Sequence, residues 1–176
     1  MSTKADIIKT IRDNWAEHRL HAEMDLALGA MVRAAASAEF SLQGTIRTMV
    51  GGEYASLVTA AMPASSMIDA IKRILDVGAV GVAQAEELAE ILNRCRAAFQ
   101  QRNKYVHGMR LSATNNAFIL TNNRRNGMFD RHEMDPEALL ELAAEFAVLG
   151  HEISTWTYQV FVLDREEDND DDSPVP

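Results

Sequence analysis

The chain has 176 residues, 47% of them hydrophobic, and a formal net charge of −9. This composition is typical of one soluble globular domain with a sizeable core, and the acidity argues against a general nucleic-acid coat. No apolar run approaches the roughly 18 residues of a membrane span, no signal-peptide pattern opens the chain, and a lone Cys95 cannot form an internal disulfide. We therefore expect a cytoplasmic protein that does not contact a membrane.

In the first half of the chain, apolar residues recur at the spacing that is typical of amphipathic helices. Residues 1–22 are predicted to form an amphipathic N-terminal helix that packs on the bundle or on a second subunit. The apolar positions of this helix are Ile7, Ile8, Ile11 and Trp15. A longer helix follows, ends at Gly51-Gly52, and carries the stripe Met24, Leu28, Met31, Ala35, Ala38, Leu42, Ile46 and Met49. Beyond Pro63, Ser66 and Asp69 have capping-box spacing for a further helix.

The next helix carries the most informative segment, residues 101–108. Its stripe of Leu88, Leu92, Cys95 and Phe99 continues in phase to Arg102 and Val106. A guanidinium thus stands where an apolar side chain is expected, and losing the partner of a buried charge costs about 3 to 5 kcal/mol. That partner can be a carboxylate such as Glu39 or Glu90, a group across an interface, or a bound anion. We expect Gly108 to end this helix in the left-handed conformation.

A β-hairpin and a last helix are predicted after Gly108. Residues 117–120 and 128–129 flank a turn-like segment over 122–127. Asp135 and Pro136 then take the N-cap and first positions of a helix whose apolar stripe runs from Leu139 to Val160. Residues 1–163 are therefore predicted to form a single domain. Residues 164–176, which hold most of the net charge, are predicted to be a disordered acidic tail.

Arg102, Asn103 and, after three further residues, His107 resemble the signature of the HEPN superfamily. That signature is an arginine, four to six residues and a histidine, commonly with a polar residue straight after the arginine. The resemblance covers residues 24–163, although only residues 102–107 are a diagnostic match. It implies an all-α, up-and-down helical bundle, here with a small β-hairpin inserted after the motif helix. It further implies a homodimer and, in active members, a metal-independent endoribonuclease whose site is composed across the dimer.

The chemistry of these side chains fits that activity. His107 could accept the proton of a ribose 2′-hydroxyl or donate one to the leaving 5′-oxygen. Arg102 would hold the phosphate oxygens and offset the charge that develops in the transition state. Asn103 would orient the histidine or a phosphate oxygen. The expected products are a 2′,3′-cyclic phosphate and a 5′-hydroxyl, formed without metal or cofactor, and DNA would not be cut.

The candidate site lies in the one strongly basic stretch of the sequence. Between Arg94 and Arg131 there are eight basic residues and a single acid, Asp130. Such a stretch is typical of a phosphate-binding surface, although it can also be a solvated face balanced by acids elsewhere in the fold. We predict that RNA is held by the four basic residues nearest the motif, which are Lys104, Arg110, Arg124 and Arg125.

Two other interpretations stand beside the ribonuclease. In the first, the protein is a non-catalytic interaction module in which Arg102 and His107 stabilise a dimer and the acidic tail recruits a protein partner. In the second, Glu17, His18 and His21 bind a metal, but isolated surface histidines rarely do, and we predict no metal site. The uses of the family make a role in toxin–antitoxin systems or phage defence conceivable.

Overall fold

The computed structural model describes residues 3–17, 19–52, 54–113, 116–122 and 128–163. These residues form six α-helices, a three-stranded antiparallel sheet and a closing π-helical turn, Gln159–Leu163. The helices are α1 Lys4–Glu17, α2 Arg19–Val50, α3 Ala55–Thr59, α4 Ala64–Asp76, α5 Val82–His107 and α6 Pro136–Tyr158. The predicted all-α bundle with a small β element after the motif helix is confirmed. Among the described helices, none combines the length and apolarity needed to traverse a bilayer.

Contacts within the chain divide it into two compact units. The first consists of Met1–Arg33 and Arg102–Ala144, and the second of Ala34–Gln101 and Glu145–Pro176. Helices α2, α5 and α6 contribute residues to both units. The candidate residues at the end of α5 belong to the first unit.

The second unit has a core of apolar stripes from four helices. Phe99 of α5 packs on Phe146 of α6 with ring centroids 4.8 Å apart. Helices α6 and α2 are neighbours at Gly150, where a Cβ would lie at an ordinary contact distance of 3.5 Å from the Cα of Ala38. The largest of the buried side chains in this unit are Leu42, Ile46, Met67, Ile68, Ile71, Leu88, Leu92, Phe146 and Trp156. The stripes predicted for α2, α5 and α6 thus contribute to this core, together with apolar residues of α4.

The end of α2 and the start of α6 follow the local chemistry of the sequence, whereas the start of α4 does not. Gly51 and Gly52 have positive φ at the end of α2, as their sequence predicts. The Glu137 backbone N–H donates to Asp135 Oδ1 over 3.1 Å, which confirms the predicted N-cap of α6. The capping box assigned to Ser66 is wrong. Helix α4 begins two residues earlier at Ala64, because Pro63 already holds the extended conformation of an N-cap.

The sheet of the first unit has the strand order β1-β2-β3, with β1 at Met109–Ala113, β2 at Asn116–Asn122 and β3 at Phe129–Glu133. The antiparallel pair of β2 and β3 is the predicted hairpin. Strand β1 was not predicted, and it begins directly after α5. In the middle of the sheet, Ile119 is buried and lies opposite Arg110 on one side and His132 on the other.

Gly108 ends α5 for a reason other than the predicted one. Its φ is not in the left-handed region, so the expected αL stop is wrong. A Cβ at Gly108 would instead collide with the side chain of Ile119 and would lie 2.7 Å from the carbonyl oxygen of Lys104. The position therefore requires glycine because the central strand packs directly against the end of the helix.

Gly108→Ala should destabilise the protein. Neither the buried Ile119 side chain nor the Lys104 carbonyl can move without disturbing its neighbours, so we expect a loss of about 1 to 3 kcal/mol in the free energy of unfolding. Urea denaturation measures it. The matched control is Gly29→Ala, where a Cβ meets nothing within 4 Å. That change should stabilise α2 by about 0.5 to 1 kcal/mol. Equal effects of the two substitutions would contradict the close packing at Gly108.

The Cys95 thiol should be unreactive in the folded protein. Burial and, to a smaller extent, the carboxylates of Glu145 and Glu39 raise its pKa to about 12. At pH 8 the thiol thus stays protonated, and a disulfide reagent should modify it at least about 100-fold more slowly than in denaturant. The absorbance of the released aromatic thiolate follows the reaction. Rapid labelling of the native protein would show that this part of the core opens.

Candidate functional site

Arg102 is the point at which the apolar stripe of α5 becomes polar. Leu88, Leu92, Cys95 and Phe99 are buried, as their spacing predicts. Arg102, the next residue of the stripe, is half-buried. Val106, one turn later, is 38% exposed, so the buried stripe does not extend to it. The sequence thus places a guanidinium at the edge of the packed part of the helix.

The hydrogen bonds of Arg102 leave one buried donor unused. Its Nη1 donates to Oδ1 of Asn103 over 3.1 Å. Its Nε–H is buried and has no hydrogen-bond partner among the described residues. Buried polar groups almost always have a partner, and an unsatisfied one costs about 1 to 3 kcal/mol. Within its own unit, no described carboxylate forms an ion pair with Arg102.

Asn103 and His107 lie on one exposed face of the last two turns of α5. They are four residues apart, and both side chains are exposed. Because Asn103 Oδ1 accepts from Arg102, its Nδ2 group remains a donor. The His107 imidazole makes no hydrogen bond to a described residue. A ligand arriving at this face would meet the Nδ2 donor and the free imidazole together.

The sheet fixes the end of α5 that carries His107. Gly108 follows the histidine directly and packs on Ile119, and β1 starts at Met109. Ile119 is in turn held between two strands by its backbone pairs with Arg110 and His132. The C-terminal turn of the helix, where fraying is usually greatest, thereby packs on the buried Ile119 of the central strand.

The basic stretch is partly neutralised by ion pairs of the second unit. Arg94 contacts Glu145 at 3.0 Å and Glu152 at 2.8 Å, and its hydrogen bond to Glu152 raises its pKa. Arg96 pairs with Asp69. These two arginines thus fit the interpretation of a face balanced by acids elsewhere in the fold.

The structure describes the four predicted RNA-binding residues to different extents. Lys104 is exposed on the last two turns of α5. Arg110 lies in β1, but its side chain is outside the described part of the chain. Arg124 and Arg125 lie outside the described residues altogether, as do His18 and the predicted tail over 164–176. Among the described residues there is no group of three or more His, Cys, Asp or Glu side chains that could hold a metal ion.

His132 is a histidine that the sequence reasoning did not single out. It lies in β3, and its Nε2 is 3.0 Å from Oγ1 of Thr121 on the neighbouring strand. The sequence around it, Phe-Asp-Arg-His-Glu, has too little apolar alternation to predict which side chains face the helix. With a hydroxyl partner inside the sheet, this imidazole is more constrained than that of His107.

Comparisons with protein-family models, with curated proteins and with solved structures gave no match for this chain. The geometry of the site therefore carries the functional argument.

Arg102→Met tests whether Arg102 has a structural role. Methionine fills the same stripe without a buried donor, so we expect the free energy of unfolding to stay constant or rise by about 1 kcal/mol. Urea denaturation gives the value. As a control on the same helix, Arg94→Met removes two partly exposed ion pairs and should cost at most about 1 kcal/mol. A loss of about 3 kcal/mol or more for Arg102→Met would show that the guanidinium serves a structural ion pair.

Proposed function

We propose that this protein is a HEPN-like RNA-binding protein that cleaves RNA as a metal-independent endoribonuclease, with a site composed across a homodimer. The observation that supports the proposal most strongly is the buried Nε–H of Arg102, which has no acceptor among the residues that the structure describes. It lies on the helix end that also exposes Asn103 and His107. An anion at this place would satisfy the unmet donor, and a second copy would bring an imidazole to its reacting bonds.

A phosphodiester suits this arrangement of donors. The guanidinium offers its remaining N–H groups in a planar fork that matches two phosphate oxygens, and one hydrogen bond to Asn103 already restricts its rotation. Asn103 contributes Nδ2–H to a further oxygen. Preorganised donors of this kind stabilise the additional negative charge of the pentavalent transition state.

His107 supplies the proton transfer. A neutral imidazole takes the proton of the ribose 2′-hydroxyl as that oxygen attacks the phosphorus. The bond to the 5′-oxygen breaks, and an imidazolium gives the leaving oxygen its proton. The products are a 2′,3′-cyclic phosphate and a 5′-hydroxyl. Histidine is the side chain best suited to both steps because it exchanges protons near neutral pH.

Two copies complete the site better than one. In an in-line displacement the base and the acid lie on opposite sides of the phosphorus, and a single exposed histidine reaches only one side. Around a helix, positions five residues apart also diverge by about 140 degrees, so Arg102 and His107 of one copy do not face the same direction. A second copy brings a second histidine and a second guanidinium to the phosphate.

One observation favours the non-catalytic alternative. Arg94 and Arg96 are engaged in ion pairs, so fewer basic side chains are available to RNA than the sequence indicated. In that alternative, Arg102 and His107 of two copies stabilise a dimer, and the protein acts as an interaction module.

Purified protein should cleave mixed single-stranded RNA in EDTA, and His107→Ala should reduce the rate by about 100- to 10,000-fold, because the proton transfer is lost. Gel electrophoresis and phosphatase treatment identify the cyclic-phosphate ends. His151→Ala is the matched control, because His151 is also exposed but lies on α6 in the second unit, and it should keep full activity.

Three results would contradict the ribonuclease. They are cleavage of an otherwise identical 2′-deoxy oligonucleotide, a requirement for added metal, and undiminished activity of His107→Ala. If neither protein cleaves and His107→Ala dissociates the dimer or lowers the melting temperature, the interaction module is the correct description.

A further inference from the structure

His132 lies on the side of the sheet that packs against the end of α5. It is paired with Ile119, and the side chains of antiparallel partners share one side of a sheet. The Ile119 side chain contacts Gly108, so this side is the one that meets the helix. Within β3, His132 is half-buried and the other residues are exposed, as that orientation requires. All of these residues belong to the first unit, together with the candidate residues at 102–107.

A short path connects His132 with the candidate site. His107 is followed directly by Gly108, whose backbone contacts the Ile119 side chain. Ile119 is in turn paired with His132. Cross-strand partners have Cα atoms about 4.5 to 5.5 Å apart, so the backbones of Gly108 and His132 are on the order of 10 Å apart. Nucleotides of a stacked strand advance about 3.4 Å each, so an RNA bound at His107 can bring a base within about three nucleotides of the cleaved bond to His132.

The imidazole of His132 has one engaged and one unengaged nitrogen. Nε2 lies 3.0 Å from Oγ1 of Thr121. Because a threonine hydroxyl can donate or accept, this contact holds the ring in either tautomer. Nδ1 has no hydrogen-bond partner among the described residues. The sheet therefore holds an imidazole whose second nitrogen is left to a ligand, as a donor or as an acceptor.

The surroundings of His132 favour an uncharged ligand group over a phosphate. On the same side of the sheet, Ile119 is apolar and Thr121 is neutral. Asp130, which is paired with Thr121, shares that side and carries a carboxylate, which repels phosphate oxygens. Arg110 is separated from His132 by the central strand. The edge of a nucleobase offers uncharged donors and acceptors, and single-stranded RNA exposes these edges to a protein.

We propose that His132 is a specificity-determining residue, whose Nδ1 forms a hydrogen bond with the base edge of a nucleotide flanking the cleaved bond. The inference rests on the proposed function, because it takes RNA as the ligand. Contacts from Arg102 to a phosphate carry no sequence information, so a separate group must distinguish one base from another. The contact with Thr121 suits His132 to this role, since a hydrogen bond discriminates between bases only where its direction is fixed.

Cleavage of a randomised RNA, followed by sequencing of the fragment ends, tests the inference. Wild type should prefer one base about 3- to 10-fold at one position near the cleaved bond, as expected for one hydrogen bond. His132→Phe keeps an aromatic ring without nitrogen and should reduce the preference to less than about 2-fold. Thr121→Val removes the hydroxyl that holds the ring and should weaken the same preference. His151→Ala should leave it unchanged.

Relative rates distinguish this role from a structural one. A histidine that only stabilised the sheet would change the melting temperature or the rate for every sequence alike, and the ratio between sequences would stay constant. A preference that is equal in wild type, His132→Phe and Thr121→Val would therefore overturn the inference.

Binding separates failure of this inference from failure of the ribonuclease. Fluorescence anisotropy follows the titration of wild type and His132→Phe with 2′-O-methyl oligonucleotides that differ in a single base, so no cleavage is involved. A base-dependent affinity that His132→Phe loses, in a protein that does not cleave, would support the inference and contradict the ribonuclease. Cleavage with a base preference that does not depend on His132 would overturn the inference and leave the ribonuclease in place. Absence of any base preference in wild type, in cleavage and in binding, would also overturn the inference.

Discussion

The candidate site depends on one unmet hydrogen bond, that of the Arg102 Nε–H. The buried stripe of α5 places this group out of water, and the single hydrogen bond of the guanidinium to a described residue, from Nη1 to Asn103, leaves Nε without an acceptor. A donor in this state costs free energy in the isolated protein, and a residue that served only the fold would not be expected to carry it. An anion that accepts a hydrogen bond from this Nε–H would explain the cost, because binding would then return the free energy that was lost when the donor was buried without a partner.

The sheet holds in place the end of α5, which also carries this donor. Because Gly108 lies against Ile119, the last turn of α5 cannot fray without exposing the central strand of the sheet. Asn103 and His107 thereby lie on a helix end whose backbone packs on the sheet, although their side chains are exposed. A rigid backbone under exposed functional groups is what transition-state stabilisation and proton transfer require, since geometry, more than affinity, limits both.

Periodicity and end signals in the sequence predicted most of the helices, since burial of a stripe and capping are local properties of the chain. The exceptions have tertiary causes. Gly108 was correctly identified as a helix end, but its need for glycine comes from Ile119, which is eleven residues away in sequence and on another element. The ion pairs of Arg94 join it to Glu145 and Glu152, more than 50 residues later, and no spacing rule indicates such partners. That the Arg102 Nε–H is buried without a hydrogen-bond partner among the described residues could likewise be recognised only after the packing was known.

The most direct test of the account is to observe the Arg102 Nε–H itself. In a nitrogen–proton correlation spectrum of the full-length protein, its resonance is assigned by loss in Arg102→Met and then followed during titration with a mixed 2′-O-methyl oligonucleotide, which cannot be cleaved. We expect a saturable shift and slower exchange of this proton with water, because a phosphate oxygen becomes its acceptor. A resonance that stays unchanged while those of exposed basic side chains move would contradict the assignment of Arg102 as the anion-binding group.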